Sequence, residues 1–156
     1  MTTEEILNTH LPEQENLLMA LQEIQKNNQL NYLTEEDLEQ TSRYFKLKKS
    51  TVYGVATYYT MLSLKPRGKH IIRVCTSPIC KMNGTALVLE ELKKILHLNP
   101  GQTTSDDHFT LEETECLGFC FNSPAMLIDE DIYGSITIDK LPKILSSYQK
   151  GGEKDA

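Results

Sequence analysis

The chain has 156 residues, 39% hydrophobic and 24% charged. This is the composition of an ordinary soluble globular protein, long enough to fold without a disulfide or a metal. Its net charge of −6 gives no support for nucleic-acid binding, which shows as a basic excess. No apolar run approaches a bilayer span, so no direct membrane insertion is expected. The acidic start MTTEEILNTHLPEQEN lacks the charged-then-apolar order of a signal peptide. The expectation is a cytoplasmic chain whose thiols stay reduced.

Residues 1–66 read as a helical segment. PEQENLLMALQEIQKNN sets Leu17, Leu18, Leu21 and Ile24 on one stripe at helical spacing. LTEEDLEQTSRYFKL opens on Thr34 as an N-cap, with acids in its first turn and Asp37 placed for a capping box. Ser50 is the expected cap of a third helix, TVYGVATYYTML, with Val52, Val55, Ala56, Tyr59 and Leu62 at helix spacing. Pro66 and Gly68 in SLKPRGKH mark a linker.

The rhythm then changes, and residues 67–150 read as an α/β domain. HIIRVC is a β-branched run and a predicted strand. NGTALVLEELKKILHL is an amphipathic helix with Leu89, Leu92 and Leu96 inward. After the turn-rich NPGQTTSDD comes a second strand, HFTLEETE, then the loop CLGFCFNSP. AMLID and IYGSITI form a hairpin around Glu130. DKLPKILSSYQK closes the domain as a helix capped by Asp139, with Pro142 tolerated in its first turn. Residues 151–156 read as a frayed tail. The order β-α-β-β-β-α is that of a thioredoxin-like core, preceded by an N-terminal helical bundle. A helix crosses between the first two strands, so they should be parallel and joined by a right-handed crossover.

All four cysteines lie in two close pairs, Cys75/Cys80 (C-x4-C) and Cys116/Cys120 (C-x3-C). Each pair begins at the C-terminal end of one of those parallel strands. Parallel strands put their C-terminal ends on one edge, where open α/β sheets bind ligands. The topology should therefore bring the pairs to one centre. Such a centre suits an anionic iron–sulfur core, steadied by backbone N–H groups aimed at its sulfurs. Gly84 and Gly118 leave the backbone accessible, and the helix starting near Asn83 should point N–H groups toward Cys80. Lys81 and Arg73 are weaker sources of positive charge.

Other readings of the thiols stand beside this one. They are buried apolar cysteines, or a structural zinc site in an interaction module, although zinc knuckles favour C-x2-C. A dithiol redox site would carry C-x-x-C, which is absent. His10, His70, His97 and His108 have no ligand spacing and read as surface residues. Tyr58 and Tyr59 read as core and rim of a helix, and TEEDLEQ as a solvated face. No glycine-rich phosphate loop is present, so nothing here binds a nicotinamide or flavin by a recognisable motif. No catalytic residue is assigned.

VYGVATYYTMLSLKPRGKH, VCTSPIC, ECLGFCFNSPAMLI and YGSIT together resemble the thioredoxin-like [2Fe–2S] subunit of NADH:quinone oxidoreductase, the NuoE family. Relatives occur in electron-bifurcating and NAD-linked hydrogenases and in NAD-dependent formate dehydrogenases. The resemblance runs from about Leu17 to Tyr148. It implies that Cys75, Cys80, Cys116 and Cys120 ligate one [2Fe–2S] cluster. It also implies that the chain is a non-catalytic electron-transfer subunit. Its partners would be an FMN- and NAD(H)-binding iron–sulfur subunit and further redox subunits. The compact form looks most like the small subunit of bifurcating hydrogenases. A free-standing thioredoxin-like ferredoxin is the alternative. The family's second loop commonly reads C-x-G-A-C; Phe119 stands here for the small residue, and Phe121 follows the last cysteine. Both phenylalanines are expected to lower solvent access to the cluster.

Overall fold

The structure is a computed structural model that describes residues 1–149; the tail expected to fray, residues 151–156, lies outside the described residues. The chain divides into two compact units, Met1–Arg67 and the remainder from Gly68.

The first unit is helical: α1 (Thr3–Leu7), a 3-10 turn (Gln14–Asn16) leading into α2 (Leu17–Asn27), α3 (Glu35–Tyr44) and α4 (Lys49–Tyr58). The expected stripe of α2 buries Leu17, Leu21 and Ile24, with Leu18 partly buried beside them. They pack with Ile6, Leu33, Leu38, Phe45, Val52 and Leu62. A fully buried leucine such as Leu21 contributes about 1.5–3 kcal/mol. α3 starts as its sequence predicts. The Asp37 N–H donates to Thr34 Oγ1 at 3.1 Å, and the Thr34 N–H donates to Asp37 Oδ2 at 2.9 Å. The Thr3 hydroxyl donates to the other Asp37 oxygen at 2.6 Å, tying α1 to α3.

Two expectations change. The sequence pattern predicts no helix at α1, yet Thr2 and Glu5 form a full capping box there. Ser50 does not cap α4. The cap position is Lys48, in extended conformation and without a side-chain bond, so Ser50 lies inside the first turn. Arg67 closes the unit, its N–H bonded to Leu30 O at 2.7 Å and its Nε to Asn31 O at 2.9 Å.

The second unit holds β1 (His70–Cys75), α5 (Pro78–Met82), α6 (Thr85–Leu96), β2 (Gln102–Thr103), β3 (Phe109–Thr114), β4 (Met126–Ile128), β5 (Asp131–Tyr133) and α7 (Leu141–Gln149). The five strands lie in the order β2-β3-β1-β4-β5. β1 and β3 are parallel, and the remaining pairs are antiparallel. The thioredoxin-like α/β core expected from the sequence is present, with β2 and α5 added. β1 is central and carries Ile71, Ile72, Val74 and Cys75 buried. A strand covered on both faces loses strict alternation for this reason.

α6 turns inward on Val88 and Leu92, with Leu89 and Leu96 only flanking the core. It is entered through Gly84 at φ +100°, a backbone angle that a residue with Cβ resists. Asp139 does not cap α7. A 3-10 turn, Ile138–Lys140, runs straight into the helix, and Asp139 sits within it.

The histidines also depart from expectation; of the four, only His97 is exposed. His10 bonds Glu23 at 2.9 Å. His70 and His108 stack edge-on at 5.1 Å, at the end of the sheet where β1 and β3 begin. His70 Nδ1 lies 2.6 Å from Asp129 Oδ2, and His108 Nε2 donates to Tyr148 O at 3.0 Å. The Tyr148 hydroxyl donates to Asp131 Oδ2 at 2.8 Å and lies 2.9 Å from the Tyr133 hydroxyl. Burial, then Tyr133 and Asp131, hold the Tyr148 phenol strongly toward its protonated form.

Candidate metal centre

The cysteines lie at the other end of the same two strands. Cys75 is the last residue of β1 and stands opposite Thr114, the last of β3. The Thr76 N–H donates to Thr114 O at 2.9 Å, carrying the ladder one residue further. On its other side the Cys75 N–H donates to Ala125 O at 3.0 Å. The Thr85 hydroxyl donates to Cys75 O at 3.0 Å, fixing the strand end against the start of α6.

From Cys75 the chain turns through Ser77 into α5, whose first residue is Pro78 and which carries Cys80. Pro suits that position because its missing N–H has no helical partner there. After β3 the chain crosses Cys116 and reaches Cys120, which opens a 3-10 turn (Cys120–Asn122). The two loops are joined: Asn83 Nδ2 donates to Ser123 Oγ at 2.6 Å.

Cys75 and Cys80 are each 1% exposed, and they form a small apolar nucleus with Ala125, Leu117 and Phe119. Leu117 and Phe119 belong to the second cysteine loop, so that loop covers the first pair. Cys116 is exposed, Cys120 is half-buried, and their sulfurs are 3.3 Å apart.

Main-chain N–H groups reach the sulfurs, as expected from the sequence. The Gly118 N–H donates to Cys116 Sγ at 3.4 Å. Ser77 and Leu117 supply N–H groups to Cys75, and Ala125 supplies one to Cys80. Burial pushes the Cys75 thiol up, but bonds from Ser77, Cys80 and Leu117 outweigh it, and the net direction is down. Burial and the neighbouring Cys75 push Cys80 up. Cys120 is pushed up by Cys116 first and by burial second, with smaller effects from Cys80 and Cys75. Cys120 thus feels the thiols of both loops.

Three expectations about the surroundings are corrected. Cys80 lies within α5, and α6 begins only at Thr85; the N–H that reaches Cys80 comes from Ala125 on the other loop. The Arg73 guanidinium is taken up by its cross-strand neighbour Glu112, at 3.1 Å. Phe119 lies over the first thiol pair, whereas Phe121 is 79% exposed and meets Phe119 edge-on at 4.7 Å. Of the two rings, Phe119 is the one packed against the first thiol pair.

Several contributing residues carry no clear signal in the sequence. Ser77 places its hydroxyl 3.2 Å from Cys75 Sγ. Gly134 lies so close behind the loop that a Cβ there would stand 2.6 Å from both Asn122 Cβ and Phe119 Cε1. Ala125 serves both buried cysteines through its backbone. The Ser-Pro step is a signal for a helix start at Ser77, but it says nothing of where the hydroxyl turns.

The donor chemistry fits a sulfur-bridged binuclear group. Two thiolates on one tetrahedral metal at about 2.3 Å stand about 3.8 Å apart, and Cys116 and Cys120, at 3.3 Å, need only to part slightly to reach that. Among the described residues, no group of three or more His, Cys, Asp or Glu side chains is placed to hold a metal ion. Two-thiol corners are the donor set of a core that brings its own bridging sulfides.

Fold and site together define a thioredoxin-like α/β protein with its thiols gathered at one sheet edge. The chain belongs to the thioredoxin-like [2Fe-2S] ferredoxin family, which matches residues 3–149, and its cofactor is accordingly a [2Fe–2S] cluster. It is 44% identical over 100 residues to an NADH-quinone oxidoreductase subunit of Escherichia coli (strain K12), a match taking in 64% of this chain and 60% of that one. It is 33% identical over 147 residues to the Rickettsia conorii counterpart, covering 94% of this chain and 88% of the relative. The chain thus spans about 60% of the length of the first curated relatives it matches. A chain of an NAD+-reducing [NiFe]-hydrogenase in the H2-reduced state has the same fold, with TM-score 0.78 at 20% identity over 93% of this chain and 24% of that one. Among the described residues no helix is long and apolar enough to cross a membrane.

Proposed function

We propose that this chain is a cytoplasmic electron-transfer subunit that carries one [2Fe–2S] cluster on Cys75, Cys80, Cys116 and Cys120. It would work beside an FMN- and NAD(H)-binding subunit in a multi-subunit NAD(H)-linked oxidoreductase. A bifurcating hydrogenase or an NADH dehydrogenase type of complex suits it best. The observation that carries the reading is the register of β1 on β3, which opens both cysteine loops from adjacent strand ends, Cys75 opposite Thr114.

The group, when bound, supplies reversible one-electron chemistry. The chain's own residues hold it and set its surroundings. The thiols of Cys75, Cys80, Cys116 and Cys120 would hold it. The N–H groups of Ser77, Leu117, Gly118 and Ala125 offset negative charge on the sulfurs. Leu117 and Phe119 keep water from the inner corner. No residue here makes or breaks a substrate bond, and the helical unit Met1–Arg67 serves partner docking.

Anaerobic purification tests the reading. The expected product is a coloured protein with iron and acid-labile sulfide in equal amounts, co-purifying with a flavoprotein. Colourless protein holding zinc and no labile sulfide would overturn it. A coloured chain that purifies alone favours a free-standing ferredoxin. Deletion up to Lys65 should lose the partner, and its retention would remove the docking role of the helices.

A further inference from the structure

The Ser77 hydroxyl does not do what its position invites. Ser77 is the cap residue of α5, where a serine ordinarily turns its oxygen onto a helix N–H. Here it makes no capping bond. The residue is 7% exposed, and its Oγ lies 3.2 Å from Cys75 Sγ. A buried hydroxyl needs a partner, and this one has taken a sulfur instead of the helix.

We propose that Ser77 is a positioning residue that sets the reduction potential of the centre by donating its hydroxyl hydrogen to the Cys75 sulfur. This rests on Cys75 being a cluster ligand. A ligating cysteine has lost its proton, so its sulfur can only accept and the serine must donate. Taking up one electron adds one negative charge to the centre. A donor to sulfur stabilises that more negative state more than the oxidised one, and so raises the potential. The other donors to these sulfurs, the N–H groups of Ser77, Leu117, Gly118 and Ala125, belong to the main chain and survive side-chain substitution. The hydroxyl can be removed alone, and α5 loses no cap with it.

The test compares wild type, Ser77→Ala and Ser77→Thr as full chains loaded anaerobically with iron and sulfide. Midpoints come from redox titration followed by the electron-spin signal of the reduced form. Ala should keep the metal content and shift the midpoint negative by about 59 mV, a tenfold weaker equilibrium for one electron. Thr keeps a hydroxyl and should stay with wild type. Transfer into D2O should shift the iron–thiolate stretching bands of wild type and Thr more than those of Ala, which a merely structural serine would not cause. Loaded wild type and loaded Ala with equal midpoints overturn the role of Ser77 and leave the cluster intact. If Ala fails to load, Thr decides: a wild-type midpoint and D2O shift support the role, and a midpoint displaced to the negative overturns it. Wild type without iron and labile sulfide overturns the cluster reading, and this inference with it.

Discussion

The two thiol pairs occupy one sheet edge but meet opposite environments. Cys75 and Cys80 are each 1% exposed, beneath Leu117 and Phe119, whereas Cys116 is open to solvent and Cys120 half so. The inner pair receives N–H groups from three residues and the Ser77 hydroxyl. On the outer pair the Gly118 N–H reaches Cys116. Burial raises the cost of negative charge, and hydrogen bonds lower it. The inner corner therefore needs its donors, and the outer corner has water available for the same task.

The largest expected effect tests that asymmetry at the ligands. Cys75→Ser or Cys80→Ser should cut iron content by more than about tenfold, because no water can reach the buried corner to replace the thiolate. Cys116→Ser should load less well than wild type but better than either inner variant. Equal iron content across the three would erase the distinction between corners.

Next in size is the support behind the outer loop. Gly134→Ala would press a methyl group against Asn122 and the Phe119 ring. The expected cost is about 1–3 kcal/mol of stability, read as an earlier denaturant midpoint. Phe119 fluorescence is too weak to follow, so proteolysis around Asn122 is the local readout. An unchanged midpoint would mean that the loop is not braced from that side.

A third measurement separates ionisation from access. In the metal-free chain the Cys75 thiol is shifted toward thiolate by its hydrogen bonds, yet it is buried. Cys116 should be alkylated first, at least about tenfold faster than Cys75, as read by mass spectrometry of tryptic peptides. Labelling of Cys75 first would show that the inner corner is open in solution.

The smallest effect lies at the opposite end of the strands. Tyr148→Phe removes the hydroxyl that bonds Asp131 and Tyr133. It should cost about 1 kcal/mol and leave the visible spectrum unchanged. A changed spectrum would couple the two sheet ends.

The sequence carries the larger elements and the meeting of the thiol pairs. HIIRVC and HFTLEETE, separated by an amphipathic helix, dictate parallel β1 and β3, and the cysteines follow those strands directly. Thr34 and Asp37 announce α3 because their bonds are local. What escapes is either too short for a period or decided at a distance. α1 and α5 have five residues each and β2 has two, too few to show a helical or strand rhythm. His70 and His108 look scattered in sequence, but the β1–β3 ladder brings them side by side. Ser50 fails as a cap because α4 already begins at Lys49, and Asp139 because the 3-10 turn Ile138–Lys140 takes it up before α7 starts at Leu141. Ser77 has a cap's identity and another residue's partner, which no local pattern encodes.

The pairing of Cys75 with Thr114 also sets what kind of change this protein can absorb. Loops can trade residues, but the span of β3 is a measuring rod. Inserting one residue would carry Cys116 along by about 3.3 Å and turn every following side chain to the other face of the sheet. The thiols would keep their identities and the spacing within each pair, and still no longer share a centre. The centre is thus protected by counting as much as by chemistry. Insertions and deletions in this strand should be far more damaging than most substitutions along it.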